Sequence, residues 1–204
     1  METNLIQSRE LFGPPDRQEE LREVWKRNEG LFDHYTHPEG RPTFGELFRM
    51  CKPGMLNVIA NSDIYFERIA HAPKEGEVWA LSRYDVDPTG ASILWNHRDS
   101  QDTYMIMGGP HNIDAESVLA KRDGEPGTYY RPFTQGLAGC DNHLMHVLRA
   151  AGYRVTNPSK TIRSYHLHLS QYRSYVDGSQ GDGRGGRKLE RIQPPYAFEA
   201  PHEL

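Results

Sequence analysis

The run Leu56-Asn57-Val58-Ile59-Ala60 constrains this chain most. A strand with one wet face alternates apolar and polar residues. A short run that hardly alternates belongs to a strand covered on both faces, as in the parallel sheets of α/β proteins. The run stops at Asn61-Ser62-Asp63. In open sheets of that kind, ligands collect beyond the carboxyl ends of the strands. Asp63 therefore sits where a ligand is expected.

The flanking pattern alternates strands with helices. Asn4-Leu5-Ile6 predicts a first strand, and residues 31–35 a second. Between them, residues 16–28 predict a helix with Leu21, Val24 and Trp25 on one face, Asp16 and Glu19 as a capping box and Gly30 as its stop. Residues 43–51 predict a further helix, boxed by Thr43 and Glu46 and striped by Phe44, Leu47, Phe48 and Cys51. Residues 78–83 and 102–107 read as strands, and 141–151 as a helix with Leu144, Val147, Leu148 and Ala151 at core spacing. The expected fold is an α/β sandwich around a central, largely parallel sheet. A chain of 204 residues suits one such domain, assigned to residues 1–176. Residues 108–137 have Gly, Pro and charge but no period, which predicts a long loop beside the site. Residues 177–204, with five glycines from Gly178 to Gly186 followed by Arg187-Lys188 and Pro194-Pro195, predict a flexible tail.

A net charge of −4 gives no global basic surface for nucleic acid, although a local groove can still be positive. The two cysteines, Cys51 and Cys140, lie far apart, form no metal spacing and fit a reducing cytoplasm. No apolar run approaches the ~18 residues of a membrane span and no leader precedes the first helix, so the expected location is the cytoplasm, with no membrane partner.

Several residues have two readings each. Asp63 can hold Mg²⁺ or Mn²⁺ bridging two phosphates, or it can cap the next backbone amide in a turn. Asp141 can be a helix N-cap, or a general base in a segment that Gly136 and Gly139 let approach a ligand closely. His166 and His168 are two apart, so on a strand both face one side. They are ordinary polar residues or metal and phosphate contacts, and His168, the later one beside Ser170, is the preferred metal ligand. Arg163 and Arg173 can neutralise a diphosphate or form a solvated rim. Asp99 and Asp102 precede a strand, and Arg83 and Asp85 follow one. No Walker loop, nucleophile elbow or cysteine metal cluster is present.

Taken in order, Ala60-Asn61-Ser62-Asp63-Ile64-Tyr65-Phe66, Ala80-Leu81-Ser82-Arg83-Tyr84, Asp99-Ser100-Gln101-Asp102, Gly139-Cys140-Asp141-Asn142 and the stretch from Asn157-Pro158-Ser159 to His168 resemble a glycosyltransferase-like family of the GT-A fold, over roughly residues 40–175. The resemblance implies a metal-dependent enzyme that moves a sugar from a nucleotide-sugar, such as a UDP-sugar, to an acceptor hydroxyl. Asn61-Ser62-Asp63 occupies the place of that fold's metal-binding Asp-x-Asp motif, with one carboxylate instead of two. Gly139-Cys140-Asp141-Asn142 looks like the Gly-Glu-Asp element of inverting members, so Asp141 is implied as the base. His166 or His168 matches a late histidine of the metal shell. Asn61, Arg83, Asp99, Asp102, Arg163 and Arg173 are then expected to line the donor or acceptor side. Three rivals stay open: another metal-dependent phosphate enzyme, a non-catalytic nucleotide-sugar-binding module, and a phage enzyme acting in the host cytoplasm on hydroxymethylated pyrimidines in DNA.

Overall fold

A computed structural model describes residues 1–108, 133–172, 175–177, 187–189, 192 and 194–204. Its centre is a six-stranded sheet. β1 (Thr3–Ile6), β2 (His34–Thr36), β3 (Leu56–Ala60), β5 (Glu77–Leu81), β8 (Thr103–Met107) and β9 (Arg154–Thr156) are ordered β2-β1-β3-β8-β5-β9. Five strands run one way, and β8 alone is reversed, antiparallel to both β3 and β5. The fold is thus mixed α/β with a mostly parallel central sheet.

β3 shows why its sequence hardly alternates. Ile59 packs into the core that includes Phe44, Leu47 and Phe48 of α2 (Phe44–Arg49) and Leu144, Val147 and Leu148 of α3 (Cys140–Ala150). Leu56, Val58 and Ala60 pack into a second core with Trp79, Met105 and Phe66. The lone polar member, Asn57, is fully buried, but its amide bonds the backbone of Lys52, Met55 and Gly108. Those bonds offset the cost of burial.

A second sheet of four strands, in the order β4-β10-β6-β7, stands beside the first. It comprises β4 (Ile64–Tyr65), β6 (Arg83–Val86), β7 (Ser92–Leu94) and β10 (Ser164–His166). The strand predicted over residues 78–83 is in fact divided between the two sheets. Ser82, fully buried, is the corner between β5 and β6, where its hydroxyl donates to the Ser100 carbonyl at 3.1 Å. α1 (Pro15–Asn28) covers the small sheet through Val24, which packs with Tyr65, Tyr84 and Tyr165. β11 (Tyr175–Asp177) and β12 (Arg187–Leu189) pair parallel to each other.

Three local expectations need correction. The Asp16–Glu19 pair does not cap α1: the N-cap is Pro14, with no side-chain cap bond, and Pro15 opens the helix. The second strand begins at His34, later than residue 31. The tail expectation fails for residues 194–204, which lie hydrogen-bonded along the body. Ala197 N–H donates to Asn142, Glu199 N–H to Arg98 and His202 N–H to Asn157, each to a carbonyl. The Thr43–Glu46 capping box of α2 forms as its sequence predicts. Most of the loop expected over residues 108–137 lies outside the described residues. No helix among the described residues is long and apolar enough to cross a membrane.

Candidate active site

The turn after β3 is held in place by buried amides. Gln7, just past β1, donates to the carbonyls of Asn61 and Ile64, both at 2.7 Å. Asn28, at the end of α1, donates to Gln7 and to the Ile64 carbonyl at 3.0 Å, and accepts from Phe66 N–H. The Asp63 carbonyl accepts from Leu167 N–H at 3.0 Å, which ties the turn to the segment after β10. Such fully bonded buried amides leave the turn one arrangement.

Asp63 Oδ2 lies 3.2 Å from His166 Nε2 and 3.7 Å from His168 Nδ1. Ligand atoms of the three side chains lie within 4.8 Å of one another, a spacing that can hold a metal ion. Each imidazole is oriented from behind. His166 Nδ1 faces Asp85 Oδ1 at 2.8 Å, and His168 Nε2 donates to the Tyr172 carbonyl at 2.7 Å. The other nitrogen of each ring is thereby turned toward Asp63, as is usual for metal-binding imidazoles. Both rings reach Asp63, so the preference for His168 over His166 is not supported. β10 ends at His166, and the main chain beyond it brings His168 round to the same carboxylate.

Arg17 pairs with the same oxygen of Asp63. Its Nη2 donates to Asp63 Oδ2 at 2.5 Å, while Nη1 donates to Glu20 at 2.8 Å and to the Leu167 carbonyl at 3.0 Å. Glu20 in turn accepts from the amide and hydroxyl of Ser170. Asp63 is therefore an ion-pair partner, not a turn cap. Burial alone raises its pKa, but His166, Arg17 and His168 outweigh it and hold the carboxyl well below the usual range. For His166, burial lowers the pKa, and Asp63 and Asp85 prevail to bring it to about 9. The His168 pKa is lowered by burial and next by Arg17.

The contacts continue across the cleft. Arg83 donates from Nε to Asp85 Oδ1 at 2.8 Å and from Nη1 to Asp102 Oδ2 at 2.7 Å. Asn61 Nδ2 donates to Asp102 Oδ1 at 2.6 Å. Burial opposes a charged guanidinium, but Asp102 and Asp85 raise the Arg83 pKa further. One cavity of about 440 Å³ is lined by Asp63, His166, His168, Arg17 and Arg83, and a second of about 420 Å³ by Asp99, Asp102 and Asp141. The two share Asn61, Arg83, Asp102, Gln135 and Gly136 and form one cleft.

Asp141 is not the N-cap that its position suggests. Gly139 is the cap, with φ +82, and Asp141 is the second residue of α3. Its Oδ2 accepts from Gln101 N–H at 3.3 Å and its Oδ1 from Asn142 N–H at 3.0 Å. Burial, and next the Asp102 charge, push its pKa up to about 7. A carboxyl that ionises near neutrality is matched to proton abstraction at that pH.

Of the expected residues, Asn61, Asp63, Arg83, Asp99, Asp102, Asp141, His166 and His168 meet in this cleft. Arg163 does not: it is exposed, and its guanidinium sits 5.2 Å over the Tyr84 ring, on the opposite face of β6 from Arg83 and Asp85. Arg173 lies outside the described residues. Sequence reasoning missed Gln7, Arg17, Glu20 and Asn28. The signal was present on α1, where Arg17, Glu20 and Asn28 continue the Leu21–Val24 stripe and are buried with it. Polar residues on a buried stripe need partners, and here the partners are the site.

No protein-family model matches the chain, and no curated protein matches it significantly.

Proposed function

We propose that this chain is a metal-dependent glycosyltransferase that moves a sugar from a nucleotide-sugar to an acceptor hydroxyl. The observation that carries the reading is a single cleft with an Asp63–His166–His168 cluster able to hold a metal ion in one half and the near-neutral carboxyl of Asp141 in the other. Asp63 Oδ2, His166 Nε2 and His168 Nδ1 would hold the ion, and two imidazole nitrogens favour a transition ion such as Mn²⁺ over Mg²⁺. Bound there, the ion would draw charge from the leaving diphosphate.

The chain's own residues do the rest. Arg41 lines the first cavity, on the side where the diphosphate would lie. Asp141 takes the proton of the acceptor hydroxyl as that oxygen bonds the anomeric carbon and the bond to the diphosphate breaks. Burial, and next the charge of Asp102, itself bonded by Arg83 and Asn61, keep the Asp141 pKa high enough for it to accept that proton. Inversion at the anomeric carbon follows from the resemblance of the Gly139–Asn142 element to inverting members. A nucleotidyltransferase or nuclease working with two metals is less well served, since the described residues form one ligand cluster.

Incubating the protein with a panel of nucleotide-sugars and Mn²⁺ tests the reading. Release of nucleoside diphosphate with sugar appearing on an added acceptor is the expected result. Release of pyrophosphate, or no turnover with any donor, would overturn it.

A further inference from the structure

The two halves of the cleft differ in charge. Around the metal cluster, Arg17, Arg41 and Arg83 stand against Glu10, Asp63 and Asp102. In the second cavity Asp99, Asp102 and Asp141 face Arg83, whose guanidinium is already bonded to Asp85 and Asp102. A phosphate brought there would meet three carboxylates and, among the described lining residues, one guanidinium that is already paired, with Arg98 standing only at the rim over Phe198.

Two buried amides on the same wall are only half satisfied. Gln101 is 2% exposed and Asn142 4%. Gln101 Nε2 donates to the Arg98 carbonyl at 3.2 Å, and Asn142 Nδ2 to the Asp99 carbonyl at 3.1 Å. Those bonds fix which end of each amide is nitrogen, since the reverse would set oxygen against oxygen. Gln101 Oε1 and Asn142 Oδ1 are thereby left without a donor, and Gln135 Nε2 without an acceptor. Buried polar atoms are nearly always satisfied, and exceptions ask for a reason. All three residues line this cavity. Their orphan atoms are shielded from solvent, and the cavity these residues line is where a hydrogen-bonding partner could reach them. At the rim, Phe198 is exposed and has Arg98 5.3 Å over its ring, which offers a flat apolar surface for the C–H face of a sugar.

We propose that this cavity binds an uncharged, polyhydroxylated molecule, a saccharide whose hydroxyls donate to Gln101, Asn142 and Asp141, and that it turns away phosphate-bearing molecules, modified DNA included. That this saccharide is the acceptor rests on the transferase reading; the binding itself does not.

Saturation-transfer NMR on the full chain, without metal or nucleotide-sugar, separates the two. The probes are a panel of neutral mono- and disaccharides, glucose 6-phosphate, and an oligonucleotide containing 5-hydroxymethylcytosine. Transfer to neutral saccharides is expected, weakened about tenfold in Gln101→Met, which keeps shape but removes the amide. Gln135→Met, on a half-buried side chain, gives the same reading should Gln101→Met not fold. Transfer only to the phosphorylated probes, none to any neutral saccharide, or equal transfer in both variants would overturn the assignment. Saccharide binding without nucleotide-sugar turnover would sink the transferase and keep the subsite. Turnover onto phosphorylated acceptors alone would do the reverse.

Discussion

Asp63 Oδ2 is paired with Arg17, and in the proposed reading the same oxygen would ligate the metal. Because it pairs with the almost fully buried Arg17, Asp63→Ala should lose Mn²⁺ binding and also destabilise the protein, on the order of 3 kcal/mol, by leaving a buried guanidinium short of one partner. Asp63→Asn keeps an oxygen for Arg17 and should melt later than Asp63→Ala while still binding Mn²⁺ weakly. Calorimetric titration with Mn²⁺ beside a melting curve decides, and wild-type Mn²⁺ affinity in Asp63→Asn would remove this carboxylate from the metal site. Asp141 differs in sign. Its folded pKa of about 7 lies above the ordinary value of 3.8, so ionisation opposes folding. The stability it contributes is fully present below about pH 4 and is lost as pH rises through about 7. Asp141→Asn should therefore gain on the wild type between pH 4 and 8, by a few kcal/mol at most, while transfer falls about 10²- to 10⁴-fold. Parallel stability curves across that range would show that Asp141 does not titrate as described. Asp63 and Asp141 were legible because each follows a recognisable stop or start in the apolar pattern. Arg17 was not, since nothing in a helical stripe says which distant carboxylate its polar member will meet.

At the scale of elements, legibility followed locality. The α2 capping box closes within four residues and forms as read, from Thr43 to Glu46. Asp16 and Glu19 have the same spacing, but Pro14 and Pro15 start the helix one residue earlier and take the cap position away. The direction of β8 could not be read at all, because residues 102–107 would be as apolar in either direction and only its neighbours β3 and β5 fix it. The C-terminal segment is the clearest case of composition misleading. Its prolines and charges suggest a loose tail, yet the Glu199 and His202 carbonyls accept from Asn157 and Lys160, Arg149 pairs with Glu199, and Tyr196 lies against Gly139 where a Cβ would meet its hydroxyl at 2.9 Å. It braces the start of α3 and so the position of Asp141. Deleting residues 194–204 should lower the melting temperature by roughly 10 °C or more, given four lost backbone–backbone bonds and the Asn157 side-chain bond to Glu199 at about 1 kcal/mol each. An unchanged melting temperature in scanning calorimetry would mean that the segment only rests on the surface.

For the whole molecule, the two sheets matter more than either alone. β3 of the large sheet ends at Ala60, three residues before Asp63, and β10 of the small one ends at His166, while Ser82 bends the chain from β5 to β6 so that Arg83 lines the cleft and Asp85 backs it and His166. The sequence order of the motifs gave no distances, and the ion-pair chain from Arg17 through Asp63, His166, Asp85 and Arg83 to Asp102 exists only once both sheets are in place. A donor that binds only the folded state should stabilise it by mass action. A nucleotide-sugar at one hundred times its dissociation constant adds about 2.7 kcal/mol. For a chain of this size that is a rise of about 5–10 °C in melting temperature. The rise should require Mn²⁺, be smaller with Mg²⁺ because two of the three ligands are imidazoles, and vanish in the His166→Ala and His168→Ala variants. Differential scanning fluorimetry of the three proteins with each ion, with and without donor, checks all of this together. An equal rise without any divalent ion would show that the arginines alone hold the diphosphate, and the Asp63–His166–His168 cluster would then be structural.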